Sequence, residues 1–262
     1  MDFERTFDNA AAQYEAVRPA YPEALYRDLL CCQPLSPESR VLEIGLGTGK
    51  AAGPILATGC QLTGLEPGNR LAEIARERLK EYQNLTLLDR TFQEFTGSGD
   101  SFDLIYAATA FHWIPEEYGY RRVYELLRPG GTFARFAYHA GPDQKRKELT
   151  AEICQIYRQY MHGGKGEYRP LTLADGPRLL AVPRKYGFGD TEFHLYHMEK
   201  DFTPEEYRLL LQTYRDHMAL EKENRVRLFD GICDAIRRHG GVMTVYYTVD
   251  LQLTRKPGGP FS

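Results

Sequence analysis

Between residues 40 and 139 the chain alternates short apolar runs with amphipathic stretches, and this alternation constrains the fold more than any other feature. "VLEI", "QLTGL", "NLTLLDR", "SFDLIYAATAFHW" and "TFARFAYH" are rich in branched and aromatic residues and have strand length. Between them, "NRLAEIARERLKEY" sets Leu71, Ile74, Ala75 and Leu79 on one helical face, and the helix over "EEYGYRRVYELL" stops at "RPGG". Strands that alternate with helices predict a parallel sheet covered on both faces. Right-handed crossovers then bring the ends of the first and fourth strands together, where the chain reverses across the sheet and a ligand crevice opens.

The first strand runs straight into "GLGTGK", with Gly45, Gly47 and Gly49 at alternate positions. A strand-to-helix turn with so little side-chain bulk admits a ligand to the backbone and to the following helix N-terminus. A dinucleotide fingerprint asks for G-x-G-x-x-G/A, and only a forced match starting at Gly47 and ending at Ala52 supplies it. Glu43, two residues before the first glycine, is expected at the carboxyl end of the strand and facing the crevice, where it would repel a pyrophosphate and suit a cationic amino group. Glu66 ends the second strand at the place where a carboxylate takes both ribose hydroxyls. A ligand with an adenosine, an α-amino acid and a sulfonium meets all of these demands: S-adenosylmethionine. The exit of the third strand, "LLDRTFQEF", is where adenine would lie, with the Thr91 hydroxyl, the Phe92 amide and Gln93 as candidate contacts.

The pattern E-x-G-x-G-x-G resembles the first motif of class I methyltransferases. With "FDNAAAQYEAVRPAYPEAL", "GLEPG", "FDLIYAATAFHW", "LLRPGGTFARF", "LLLQTYRDH" and "GGVMTVYYTVDLQLTRK", the chain resembles the methyltransferase type 11 group that includes trans-aconitate methyltransferases. The resemblance spans nearly everything outside residues 140–185. It implies an α/β, doubly wound, mostly parallel seven-stranded Rossmann-like sheet with a helical lid insertion, and S-adenosylmethionine as cofactor. The expected layout is an N-terminal helical cap over 1–39, the cofactor-binding core over 40–139, the lid over 140–185 and a C-terminal part over 186–262 that completes the sheet. The lid is expected to be mobile over 162–176, which hold four glycines. The last two strand-like segments, "TEFHLYHMEKDF" and "VMTVYYTVDLQL", are expected to hairpin onto the sheet edge.

The resemblance implies that the segment before the first strand folds over the methionine part of the cofactor, with Tyr14 and Arg18 in that role and Arg18 meeting the carboxylate. The expected cofactor-binding set is Tyr14, Arg18, Glu43, Gly45, Gly47, Thr48, Gly49, Glu66, Pro67, Thr91, Phe92, Gln93 and Ala108. The fourth strand ends in His112 and Trp113 and lacks the Pro-Pro turn of enzymes that methylate planar amines. Substrate contacts are expected at Tyr21, His112, Trp113, Tyr138, His139 and Arg215, with His112 as general base or acceptor contact.

Lys and Arg number 33 against 36 Asp and Glu, so no global charge calls for nucleic acid or an anionic membrane as partner. The five cysteines form no C-x-x-C pair, which fits reduced thiols in a cytoplasmic protein. No metal-ligand cluster is visible. The expected activity is methyl transfer to a small molecule, at a carboxylate or hydroxyl oxygen. A nicotinamide oxidoreductase and a non-catalytic S-adenosylmethionine-binding protein stand as alternatives, and oligomeric state is left open.

Overall fold

A computed structural model describes residues 18–161 and 168–258, apart from the side chain of Arg215. Helix α1 (Glu23–Cys32) follows Pro22 and leads into β1 (Arg40–Ile44), α2 (Ala52–Leu56), β2 (Gln61–Leu65), α3 (Asn69–Arg78) and β3 (Leu85–Leu88). Then come β4 (Phe102–Ala108), a 3₁₀ turn at Phe111–Trp113, α4 (Glu116–Leu126) and β5 (Leu127–Gly141). The remainder is α5 (Lys147–Tyr160), α6 (Gly176–Arg184), β6 (Gly189–Phe202), α7 (Pro204–Gln212), α8 (Arg215–Met218), α9 (Lys222–Arg238) and β7 (Met243–Arg255).

The seven strands form one sheet in the order β3-β2-β1-β4-β5-β7-β6. The first five are parallel, and β7 is antiparallel to both of its neighbours. Residues 41–44 of β1 are all buried, as a central parallel strand covered on both faces requires. One face of the sheet packs on α1, α2 and the Ala75 side of α3. The other packs on α4 through Tyr120, Val123 and Leu126, with Phe188 beside them.

The last two strands do pair, but the expected edge hairpin is not what joins them. Helices α7 to α9 intervene, and β7 is threaded between β5 and β6, leaving β6 at the edge. Burial explains the order. Strand β7 is buried along eleven of its thirteen residues, whereas β6 alternates intermediate and exposed positions. The helix start expected at Thr203 is present, with Glu206 N–H donating to Thr203 Oγ1 at 3.2 Å and Thr203 N–H donating to Glu206 Oε2 at 2.9 Å.

Within residues 140–185, α5 turns Leu149, Ile153 and Tyr157 onto a cluster built from α7, α9 and the start of β7. Part of the stretch expected to be mobile, residues 162–167, lies outside the described residues. Among the described residues no helix is long and apolar enough to cross a membrane, and no group of three or more metal-ligating side chains comes together.

Candidate cofactor and acceptor site

At the switch point between β1 and β4 lies a crevice of about 270 Å³. Gly45 and Gly47 form its floor, Glu66, Pro67 and Leu71 one wall, and Arg90, Thr91 and Phe92 the next. The exit of β4 from Ala108 to Ala110 and the turn residues His112, Trp113 and Ile114 close the far side. Arg18, Thr213 and Tyr214 complete the rim.

Gly45 and Gly47 both have positive φ, +72° and +60°, but the space around them differs. A Cβ on Gly45 would lie 2.6 Å from the Ala110 Cβ, so the turn is pressed against the β4 exit. A Cβ on Gly47 would meet nothing within 4 Å, because the position opens into the crevice. The Gly47 N–H donates to Glu66 Oε2 at 2.8 Å and the Gly68 N–H to Oε1 at 2.8 Å. These bonds fix a buried carboxylate at the crevice wall. A carboxylate has about four lone-pair directions, so a group of this kind can accept from ligand hydroxyls as well as from backbone amides.

Glu43 is placed differently from the sequence expectation. Its side chain is fully buried beneath the turn, outside the crevice lining, and Tyr106 Oη donates to its Oε2 at 2.6 Å. Oε1 has no hydrogen-bond partner among the described residues. Burial pushes its carboxyl up to about 8 despite the Tyr106 bond, and the charge of Glu66 adds to the effect. Alternation along β1 is the reason: Leu42 and Ile44 pack on one face, and Glu43 points to the other, toward Tyr106 and Tyr26. A cationic amino group therefore does not meet Glu43 directly.

Arg18 stands at the expected end of the crevice, donating to Thr213 Oγ1 at 3.1 Å with its guanidinium 4.7 Å from the Tyr214 ring centroid. Lys50 Nζ donates to the Arg18 carbonyl. Burial, then the charges of Lys200 and Arg18, bring the Lys50 amine down to about 8. At the opposite end, Thr91 and Phe92 line the crevice, but the Thr91 hydroxyl is committed to Glu94, donating to Oε2 at 3.0 Å and accepting from Glu94 N–H at 3.2 Å. Its proton is therefore engaged, and one lone pair of the hydroxyl is left to accept from an adenine amine. Gln93 is exposed and outside the lining.

Pro67, Ala108, His112 and Trp113 reach the crevice as expected. His112 lies at its exposed wall, and crowding on one side, then the charge of Arg135, lowers its pKa from the ordinary 6.5. Five other expected residues serve the scaffold. The Thr48 side chain is buried outside the lining, and a Cβ on Gly49 would strike Leu79 at 2.6 Å. Tyr21 bonds the Thr109 hydroxyl at 2.7 Å and stacks on Tyr138, whose hydroxyl donates to the Pro19 carbonyl at 2.7 Å. His139 lies outside the crevice lining and pairs with Asp250 at 2.8 Å. Tyr14 and the side chain of Arg215 lie outside the described residues.

Sequence reading missed Thr109, Thr213 and Tyr214. Thr109 adopts φ +56°, a left-handed conformation unusual for threonine, held by its N–H to the Phe136 carbonyl and its hydroxyl to Tyr21. Thr213 and Tyr214 reach the site only because α7 ends against Arg18, which no local pattern announces.

A doubly wound sheet whose switch point carries a glycine turn, an adjacent carboxylate and an apolar slot defines a nucleotide-cofactor protein. A profile described as "Methyltransferase domain" matches residues 41–131. An uncharacterized methyltransferase-like protein of Schizosaccharomyces pombe is 30% identical over 231 residues, 86% of this chain and 83% of that one. A trans-aconitate 2-methyltransferase of Deinococcus radiodurans is 33% identical over 109 residues, 41% of each chain. In fold, the chain is similar to a Haemonchus contortus phosphoethanolamine N-methyltransferase solved with S-adenosylhomocysteine, with a TM-score of 0.56 and 19% identity over 97% of this chain and 59% of that one. The first curated relatives are matched over 66% and 51% of their own lengths. The chain belongs to the class I S-adenosylmethionine-dependent methyltransferases, and its cofactor is S-adenosylmethionine.

The residues present fit that cofactor. The open Cβ direction at Gly47 leaves room for a ligand against the backbone, the Glu66 carboxylate suits ribose hydroxyls, and Leu71, Phe92 and Ile114 offer apolar surface to a base. Replacing Glu66 by Ala is expected to weaken S-adenosylhomocysteine binding by roughly 1 to 3 kcal/mol, because hydrogen bonds to a charged partner are lost and the Gly47 amide loses its acceptor. Titration calorimetry measures this, and an unchanged affinity would remove Glu66 from the site.

Proposed function

We propose that the chain transfers the methyl group of S-adenosylmethionine to an oxygen of a small-molecule acceptor by in-line displacement. One observation carries the reading. The crevice that fits the cofactor between Gly47 and Glu66 runs directly to the exit of β4, where His112 and Trp113 stand at an accessible wall. Arg18 would hold the methionine carboxylate, Glu66 the ribose, and the slot around Phe92 the base. When bound, the sulfonium supplies both the electrophilic methyl group and the leaving group. The chain's own task is alignment, worth up to roughly 7 to 11 kcal/mol in well-oriented model reactions.

His112 has a defined part in this reading. Its lowered pKa keeps the imidazole neutral at physiological pH, so it accepts a hydrogen bond or a proton. A carboxylate acceptor brings no proton to remove, and His112 then only positions it. With such an acceptor, His112→Ala is expected to lower kcat/KM by about tenfold or less and to leave the pH profile flat above the acceptor's own pKa. A loss of about 10²–10⁴, together with loss of a limb that rises with pH below 6.5, would instead make His112 the base for a hydroxyl. Transfer of labelled methyl from S-adenosylmethionine to a panel of small carboxylic acids and phenols tests the proposal as a whole, and no S-adenosylhomocysteine binding by calorimetry would end it.

A further inference from the structure

Beyond Tyr214 lies a second cavity, of about 670 Å³, between α5, the end of β5 and the start of β7. Tyr214 lines both spaces, so the cavity adjoins the rim of the cofactor crevice. Its size falls within the range of small-molecule sites, roughly 300 to 1,000 Å³. It also lies at the carboxyl end of β5, the side of the sheet on which the crevice opens.

The wall has a distinct chemistry. Four tyrosines, Tyr157, Tyr168, Tyr207 and Tyr214, face the space together with aliphatic side chains such as Ile153 and Val245. Among the described lining residues there is no carboxylate, and the one cation is Arg158, which is exposed. The aromatic wall is also braced from behind. Asp216 Oδ1 lies 2.7 Å from His217 Nδ1, and His217 Nε2 lies 2.9 Å from the Tyr157 hydroxyl, with His217 fully buried. The carboxylate directs the imidazole proton to Nδ1, so the Tyr157 hydroxyl donates to Nε2 and the ring is fixed in place. At the other side Tyr168 sits over Gly141, where any Cβ would come within 2.6 Å of the phenol oxygen.

Resting on the methyltransferase reading, we propose that this cavity seats the body of the methyl acceptor, whose reacting oxygen extends past Tyr214 into the crevice where His112 and Trp113 stand. The geometry points to a flat, apolar, aromatic-bodied molecule that carries at most one negative charge. Aromatic walls stack on aromatic bodies with little loss of conformational freedom. A polycarboxylate would enter a space with a single cation and no second charge to neutralise it, at a desolvation cost the wall does not repay. In this the cavity departs from what the likeness to trans-aconitate methyltransferases suggests.

Cys154 reports on the cavity without any assay of activity, since it is exposed and lines the space, while Cys31, also exposed, lies on α1, outside the cavity lining. Alkylation of both thiols by iodoacetamide, followed by peptide mass spectrometry, is measured with and without S-adenosylhomocysteine. Saturating 1-naphthoate or 1-naphthol is expected to slow alkylation of Cys154 about tenfold, as for a site closed by a ligand at ten times its Kd, and to leave Cys31 unchanged. Tricarballylate is expected to protect neither. Cys154→Trp, at an exposed position, is expected to raise KM for aromatic acceptors by about tenfold or more while S-adenosylhomocysteine affinity stays within about twofold. Absence of protection by both aromatic probes, or protection by tricarballylate alone, would overturn the proposal. Failure of S-adenosylhomocysteine to bind defeats the methyltransferase reading separately, because the thiol measurement is also made without it.

Discussion

Gly47→Val is expected to abolish cofactor binding while leaving a folded protein, with S-adenosylhomocysteine affinity falling by roughly a hundredfold or more, about 3 kcal/mol. The expectation follows from two properties of that backbone position. The added side chain meets no protein atom within 4 Å, so packing does not resist it, and the space it enters is the crevice itself. The φ of +60° costs a non-glycine residue about 1 to 2 kcal/mol, a fraction of a typical domain's stability. Gly47→Ala, with one methyl group in the same direction, should fall between. Circular dichroism and thermal unfolding establish that the variant is folded, and calorimetry measures binding. Normal affinity in the folded Val variant would mean that the turn is a structural corner with no ligand against it. Gly45 is the internal contrast: there an added Cβ strikes Ala110, so substitution is expected to damage the turn before it damages binding.

The second large effect concerns Glu43 and pH. Its carboxyl titrates near 4.5 in an unfolded chain and is pushed to about 8 in the folded one. Between those values the folded state holds a proton that the unfolded state has released. The stabilisation linked to this proton is therefore complete below pH 4.5 and is lost as pH rises toward 8. At about 1.4 kcal/mol per pH unit, the change is on the order of 5 kcal/mol. Glu43→Gln keeps a side chain of the same shape that accepts from Tyr106 and never ionises, so its stability should not share this decline. Urea unfolding of both proteins at pH 5 and at pH 8.5 makes the comparison, and the variant is expected to gain on the parent at the higher pH. Parallel curves would show that Glu43 is charged in the folded protein and that its environment is more polar than the burial implies. The same substitution separates two roles, since a loss of cofactor affinity in a stable Gln variant would show that the carboxylate acts on the glycine turn.

Hydrogen-bond partners and place relative to the crevice, not proximity in sequence, divide these two buried acids. Glu43 and Glu66 end neighbouring parallel strands, and the parent motif places both near the turn. Glu66 satisfies its oxygens with the Gly47 and Gly68 amides and stays at the crevice wall, whereas Glu43 is covered on all sides and leans on one phenol.

From the sequence alone, the sheet, its layering and the place of the crevice could be stated, because strand and helix periodicity are local properties and right-handed crossovers leave few ways to connect them. Gly45, Gly47 and Glu66 were legible for the same reason: a turn, and the acid at the end of the next strand, are fixed by position along the chain. What the sequence did not determine was which way a side chain faces at a strand end, and what reaches the site from a distance. The direction of Glu43 depends on the pleat phase of β1 against Tyr106, and the Thr91 hydroxyl proton is engaged by Glu94 within its own turn. His139 lies outside the crevice lining and pairs with Asp250, 111 residues away. Arg18 meets Thr213 across 195 residues. The tyrosine-walled cavity exists only because α5, α7 and β7 converge on it. Contacts at that separation are set by the packing of whole elements, whose free energy is shared across the core and leaves no periodic trace in any one segment.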